Sequence, residues 1–181
     1  MNRTIVLSLF AALVLAQLAV PAGMILRRET ALGRGIEYKL RVRPVDPYDA
    51  FRGRFVQLGV DAAQVPLPVG ARLAEGQKAY AILAMDLEGF AVVQSVSFTA
   101  PDTEACLKVR LRPGDPGKAT IIWPFDRYYM EETAAPQAEQ VYRQRARSSS
   151  AYITVRISGG TGVITGLYID GKPIEEIIRN P

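Results

Sequence analysis

No aspartate, glutamate, lysine or arginine falls between Arg3 and Arg27. The uncharged run at 4–26, TIVLSLFAALVLAQLAVPAGMIL, is opened by Arg3 and closed by Arg27 and Arg28. A stretch of about 20 apolar residues, rising ~1.5 Å each, matches a hydrocarbon core ~30 Å thick. A charge at its centre would cost about 3 kcal/mol, so its absence is a physical constraint. Such a chain either hangs from a membrane or crosses one during export. An export leader has about 7–15 apolar residues and small residues at its cleavage point. Val20-Pro21-Ala22 before Gly23 offers such a point. The run nevertheless continues through Met24, Ile25 and Leu26, which makes it long enough to span as it stands. Pro21 lies near its end, where a kink is tolerable. Residues 1–26 are therefore read as a single-pass anchor, with a cleaved leader as the alternative. Basic residues after the run, at Arg27, Arg28, Arg34, Lys39, Arg41 and Arg43, taken literally as a charge count would put the body in the cytoplasm. That rule weakens where the charges belong to a folded domain.

The 181 residues leave about 150 beyond this segment, the usual size of one domain. One cysteine, Cys106, and no histidine exclude an internal disulfide and multi-cysteine metal sites, and remove Ser-His-Asp and Cys-His catalysis. Cys106 reads as a small buried strand residue sharing a face with Lys108. No metal or cofactor is expected. The net charge of +4 suits a body held beside anionic headgroups. No nucleic-acid module accompanies it, so no nucleic-acid partner is expected.

Residues 27–35 are polar and glycine-containing, a short tether to a domain at 36–181. Period-two alternation at 36–43 (IEYKLRVR) marks a strand with one wet face. Further strands are expected at 54–60, 77–86, 90–100, 106–112, 120–123, 151–157 and 162–169. Pro66-Leu67-Pro68 reads as a connection. Leu87-Glu88-Gly89 is a hairpin signature, and 113–117 (PGDPG) is a tight reversal. A helix is expected at 134–146, with Pro136 in its first turn and Glu139 to Arg143 as an i,i+4 pair. The expected architecture is mainly β: an antiparallel sandwich or barrel-like body of about eight strands with one covering helix, preceded by the transmembrane helix.

The run at 45–60, VDPYDAFRGRFVQLGV, with RYYMEE at 127–132 and GLYIDGKPI at 166–174, resembles the bacterial GDYXXLXY domain family. The resemblance covers most of the body. It implies a membrane-anchored domain of the bacterial cytoplasmic membrane, with the body outside the cytoplasm. Gly53 and Leu58 keep their motif places. Arg54 stands at the aspartate position, Phe55 at the first tyrosine and Val60 at the last. The acidic position thus carries the opposite charge, and the surviving positions are those a strand entrance and a core face need. This favours a structural motif over a site.

Three groups of residues invite a chemical reading. Arg52-Gly53-Arg54 follows Asp46-Pro47 and Asp49; two guanidinium groups and an accessible amide could receive a small anion. The plainer reading pairs Asp46 or Asp49 with Arg52 to fix the loop. Tyr128, Tyr129, Glu131 and Glu132 precede the helix. Adjacent carboxylates can serve as acid and base, but the density of oxygens is too low for calcium, and acid before a helix N-terminus is favoured without any ligand. Ser148-Ser149-Ser150 with Lys118 would be needed for a Ser-Lys peptidase; these serines read instead as a linker. No catalytic residue is assigned. The leading expectation is a non-enzymatic anchored domain that binds a partner protein or the envelope, with a membrane-protein partner reached through the helix; small residues at Ala12 and Ala16 would favour close helix contact. The alternatives are a histidine-free envelope hydrolase using carboxylates and arginines, and a small-ligand carrier. The hydrolase needs Glu131 or Glu132 in a concave pocket with Arg52 or Arg54, and the carrier needs an apolar lumen.

Overall fold

The computed structural model describes residues 3–44, 55–61, 64–67, 73–131, 133–146 and 150–179. It opens with α1 (Arg3–Arg34). Then come β1 (Ile36–Pro44), β2 (Phe55–Val60), β3 (Gln64–Pro66), β4 (Gln77–Met85), β5 (Ala91–Ser97), β6 (Cys106–Pro113), β7 (Lys118–Ile122) and β8 (Arg127–Tyr129). The chain continues with α2 (Ala135–Arg145), β9 (Ala151–Ser158), β10 (Thr161–Ile169), β11 (Lys172–Pro173) and α3 (Ile174–Arg179). The body is mainly antiparallel β. One sheet runs β11-β10-β9-β1-β2-β8 and the other β3-β7-β6-β4-β5.

The helix α1 does not end where the apolar run ends. Its 32 residues make a rod about 48 Å long, and the stretch expected to be a short tether is helical through Arg34. Charge returns at Arg27 and Arg28, but charge interrupts a membrane span, not a helix. The Thr30 hydroxyl donates back to the Leu26 carbonyl at 2.7 Å, a local bond compatible with helical geometry. The last turn is fixed to the body. Ala31 is fully buried, and α1 rests on β9 and β10. The Gly35 amide donates to the Ala31 carbonyl at 2.9 Å. The Arg156 guanidinium donates to the Leu32 carbonyl at 2.5 Å, a cation at a helix C-terminus where the macrodipole favours it.

Inward residues alternate along the strands, as the period of a half-buried sheet requires. Tyr38, Leu40 and Val42 of β1, Leu107, Val109 and Leu111 of β6, and Ile153, Val155 and Ile157 of β9 all belong to one buried cluster. Side chains from both sheets thus fill the interior, which removes support from a carrier with an apolar lumen. The sheets also join directly: the Lys108 amide donates to the Gly160 carbonyl at 3.0 Å, and Leu107 bridges Gly160 in parallel.

Two short edge strands fall where no strand was expected. Gln64–Pro66 pairs with β7 rather than serving as a mere connection, and a proline is tolerated there because β3 is an edge. Arg127–Tyr129 pairs with β2. The β4–β5 hairpin forms as expected, with Asp86 accepting from the amides of Glu88 at 2.9 Å and Phe90 at 2.8 Å. Gly89 has φ +80°, a conformation glycine adopts without cost. These amide bonds, with the Arg41 guanidinium at 2.7 Å, hold the Asp86 carboxyl below its ordinary range.

The helix α2 buries Ala135, Ala138 and Tyr142, one face at helical spacing, against β2 and α3. Its Glu139–Arg143 pair is closed at 2.6 Å. The sequence reading expected one covering helix; α3 is a second, with Ile174 and Ile177 buried. The Tyr142 hydroxyl is buried with no hydrogen-bond partner among the described residues, and burial pushes its pKa well above the usual phenol value. An unpaired buried hydroxyl costs about 1–3 kcal/mol. Tyr142→Phe should therefore keep the fold and raise the unfolding free energy by about 1 kcal/mol, read from the urea midpoint. A fall in stability would mean that the hydroxyl has a partner.

Candidate functional site

The motif strand β2 lies between β1 and β8. Its alternation sends Val56 and Leu58 into the core, 0% and 4% exposed, while Phe55 stays half-buried on the other side. The Leu58 amide donates to the Asp126 carbonyl at 2.9 Å. Phe55 is held between two residues of β8. Its ring meets Tyr129 edge-on at 6.0 Å, and the Arg127 guanidinium stands 4.8 Å from its centroid, a cation–π arrangement. The motif's Leu58 thus packs as a core residue and Phe55 as an aromatic anchor for an edge strand. Asp46, Pro47, Arg52, Gly53 and Arg54 lie outside the described residues, as do Glu132 and the serines at 148–149.

Next to this strand, β8, α2 and α3 enclose a cleft of about 480 Å³. Tyr128 and Glu131 line it together with Gln137, Glu175 and Arg179. The Tyr128 hydroxyl donates to Glu175 Oε1 at 2.6 Å. Burial, then this bond and the carboxylate charge, hold the Tyr128 phenol far above its ordinary pKa. It is consequently a fixed neutral donor, unsuited to give up its proton. Gln137 Nε2 donates to the Ile178 carbonyl at 3.3 Å, tying α2 to α3. The Glu131 carbonyl accepts from the Ala134 and Ala135 amides at 3.0 Å each, so its backbone starts α2 while its side chain is exposed. Glu131 therefore shares a concave surface with an arginine, but that arginine is Arg179. Glu175 and Arg179 were not singled out from the sequence. The signal was present in Ile174-Glu175-Glu176-Ile177-Ile178-Arg179: isoleucines three apart, acid in the first turn and base in the last.

Cys106 is buried, 4% exposed, and burial raises its thiol pKa, which makes it a poor nucleophile. Among the described residues no group of three or more histidine, cysteine, aspartate or glutamate side chains is placed to hold a metal ion.

No curated protein and no solved structure matches the chain significantly. A family profile described as "GDYXXLXY protein" matches residues 17–167. The match spans the end of the apolar helix and the body through Leu167, including the whole of β2, and the chain belongs to the GDYXXLXY family.

Proposed function

We propose that this chain is a membrane-anchored, extracytoplasmic β domain that acts by binding rather than by catalysis, at the bacterial cytoplasmic membrane. Residues 1–26 are the retained single-pass anchor and 36–181 the folded body. One observation carries this reading. The helix α1 exposes nearly all its large apolar side chains, Phe10 at 64% and Leu15 at 68% among them, yet its last turn packs on the body through the buried Ala31. Apolar area in water costs about 25 cal/mol per Å², so an apolar rod fixed to a folded domain needs a bilayer around it. The family resemblance supports the orientation. A partner, on this reading, is another protein of the same membrane surface or the envelope next to it.

A reporter fused after Pro181 and active only outside the cytoplasm tests the proposal. An active fusion of full length in the membrane fraction is expected. An inactive reporter would reverse the orientation, and a shortened soluble product would replace the anchor by a cleaved leader. The hydrolase stands as the second reading on one observation, the shared cleft of Glu131, Glu175 and Arg179.

A further inference from the structure

We infer that the face of the five-stranded sheet turned away from the core is a docking surface for an anionic phospholipid bilayer. The inference rests on α1 spanning the membrane, and it assigns a role to side chains outside the family motif. On β4 and β6 the outward positions are basic or aromatic. Lys78 lies opposite Arg110, and Tyr80 lies opposite Lys108. Arg112 continues the same face. Several arginines elsewhere in the body are paired: Arg41 with Asp86 and Glu88, Arg43 with Asp61, Arg143 with Glu139. Among the described residues Lys78, Lys108, Arg110 and Arg112 have no ion pair. Four cations without an ion pair, gathered on one face, make a field that suits an external anion.

The position of the face selects which anion. A cleft of about 420 Å³ is lined by Leu26, Arg27 and Thr30 of α1, by Lys108, and by Ser158 and Thr161 at the β9–β10 turn. Lys108 therefore stands beside the residues where the apolar run stops. Ala31, already buried in the body, is four residues past Arg27, a rise of about 6 Å. That is within the screening length of about 8 Å at physiological ionic strength. Amphipathic aromatics border this face; Trp123 among them packs partly on the core, its indole N–H donating to the Asp61 carbonyl at 3.0 Å. Trp123 and Tyr80 line a larger cleft, about 780 Å³, together with Lys78, Lys108 and Arg110. Tryptophan, tyrosine and long basic side chains are the residues that settle at a headgroup layer. Acids border the face as well: Asp126 lines this cleft and stands 3.4 Å from Arg127, and Asp102 and Glu104 line a neighbouring cleft with Tyr80 and Lys108. A soluble anion would need only the charges; charges, aromatics and an anchor's end on one side together fit a bilayer surface.

The chain contains one tryptophan; Trp123 lines the cleft of this face while partly packed on the core, so the test is intrinsic. Full-length protein is reconstituted into vesicles of phosphatidylcholine, or of phosphatidylcholine with about one third phosphatidylglycerol, each containing a headgroup spin-labelled lipid. Quenching of Trp123 is measured alongside flotation after alkaline carbonate extraction. Expected is co-flotation on both vesicles, with quenching that rises on the anionic ones and is reversed by high salt. Lys78→Glu with Arg110→Glu should abolish the rise. The milder Lys78→Gln should lower the docked-to-free ratio about fivefold, with an unchanged circular dichroism spectrum. Co-flotation with quenching that ignores lipid charge, or that survives the double reversal, would overturn the docking and leave the anchor standing. Failure to float after carbonate would overturn the anchor and the docking with it. Reversal by added inorganic phosphate at constant ionic strength would assign the face to a soluble anion and also overturn the proposal.

Discussion

Leu107→Ala is expected to lower the unfolding free energy by about 3–5 kcal/mol, measured as a shift of the denaturant midpoint at unchanged slope. Leu107 is wholly buried at the point where the two sheets meet. A side chain built on Gly162 of β10 would come within 2.9 Å of Leu107 Cδ1 and 2.6 Å of Phe125 Cζ. The space left by truncation is therefore bordered by backbone on one side and by a packed ring on the other. Neither can collapse into it cheaply, and the loss should fall at the upper end for a leucine truncation. A cost below about 1 kcal/mol would mean that the sheets do not share this core.

The second large effect is expected from Gly35→Val. A Cβ at this position would collide with the Ala31 carbonyl oxygen and stand 3.0 Å from both the amide nitrogen and the carbonyl oxygen of Ile157. All three are backbone atoms, so no rotamer change relieves the crowding. Either the last turn of α1 unwinds or β1 moves off β9. The loss should be about 2–3 kcal/mol in the body. It should also bring fast amide exchange at 31–38 while the apolar part of α1 stays helical. Normal exchange protection across the junction would show that the helix and the body are not packed as described.

Alternation at 36–43, 77–86, 106–112 and 151–157 announced the long strands because each buries one face and wets the other. It was silent for β3, β8 and β11, whose two or three residues are too short to display a period. The helix at 134–146 was legible from Pro136 and the Glu139–Arg143 pair. The continuation of α1 past Leu26 was not, because polarity reports the solvent around a helix and not whether the helix persists. Likewise Tyr128 and Glu131 could be picked out as chemistry-bearing residues. Their neighbours Glu175 and Arg179 arrive from the far end of the chain, and only the fold brings them to one cleft. Asp46, Pro47, Arg52, Gly53 and Arg54 lie outside the described residues.

On the proposed membrane anchoring, the strand order bears on crowding in two dimensions. A protein confined to a membrane meets its own copies far more often than it would free in solution, and unpaired strand edges are the surfaces through which such copies would zip together. Here the outer strands β3, β8 and β11 have three, three and two residues, and β3 carries Pro66. Only β5 is longer, and its ladder with β4 is interrupted by a register shift between Ile82 and Leu83. Such short or broken templates give a neighbouring copy little to continue, so the molecule can be dense on its surface without polymerising there.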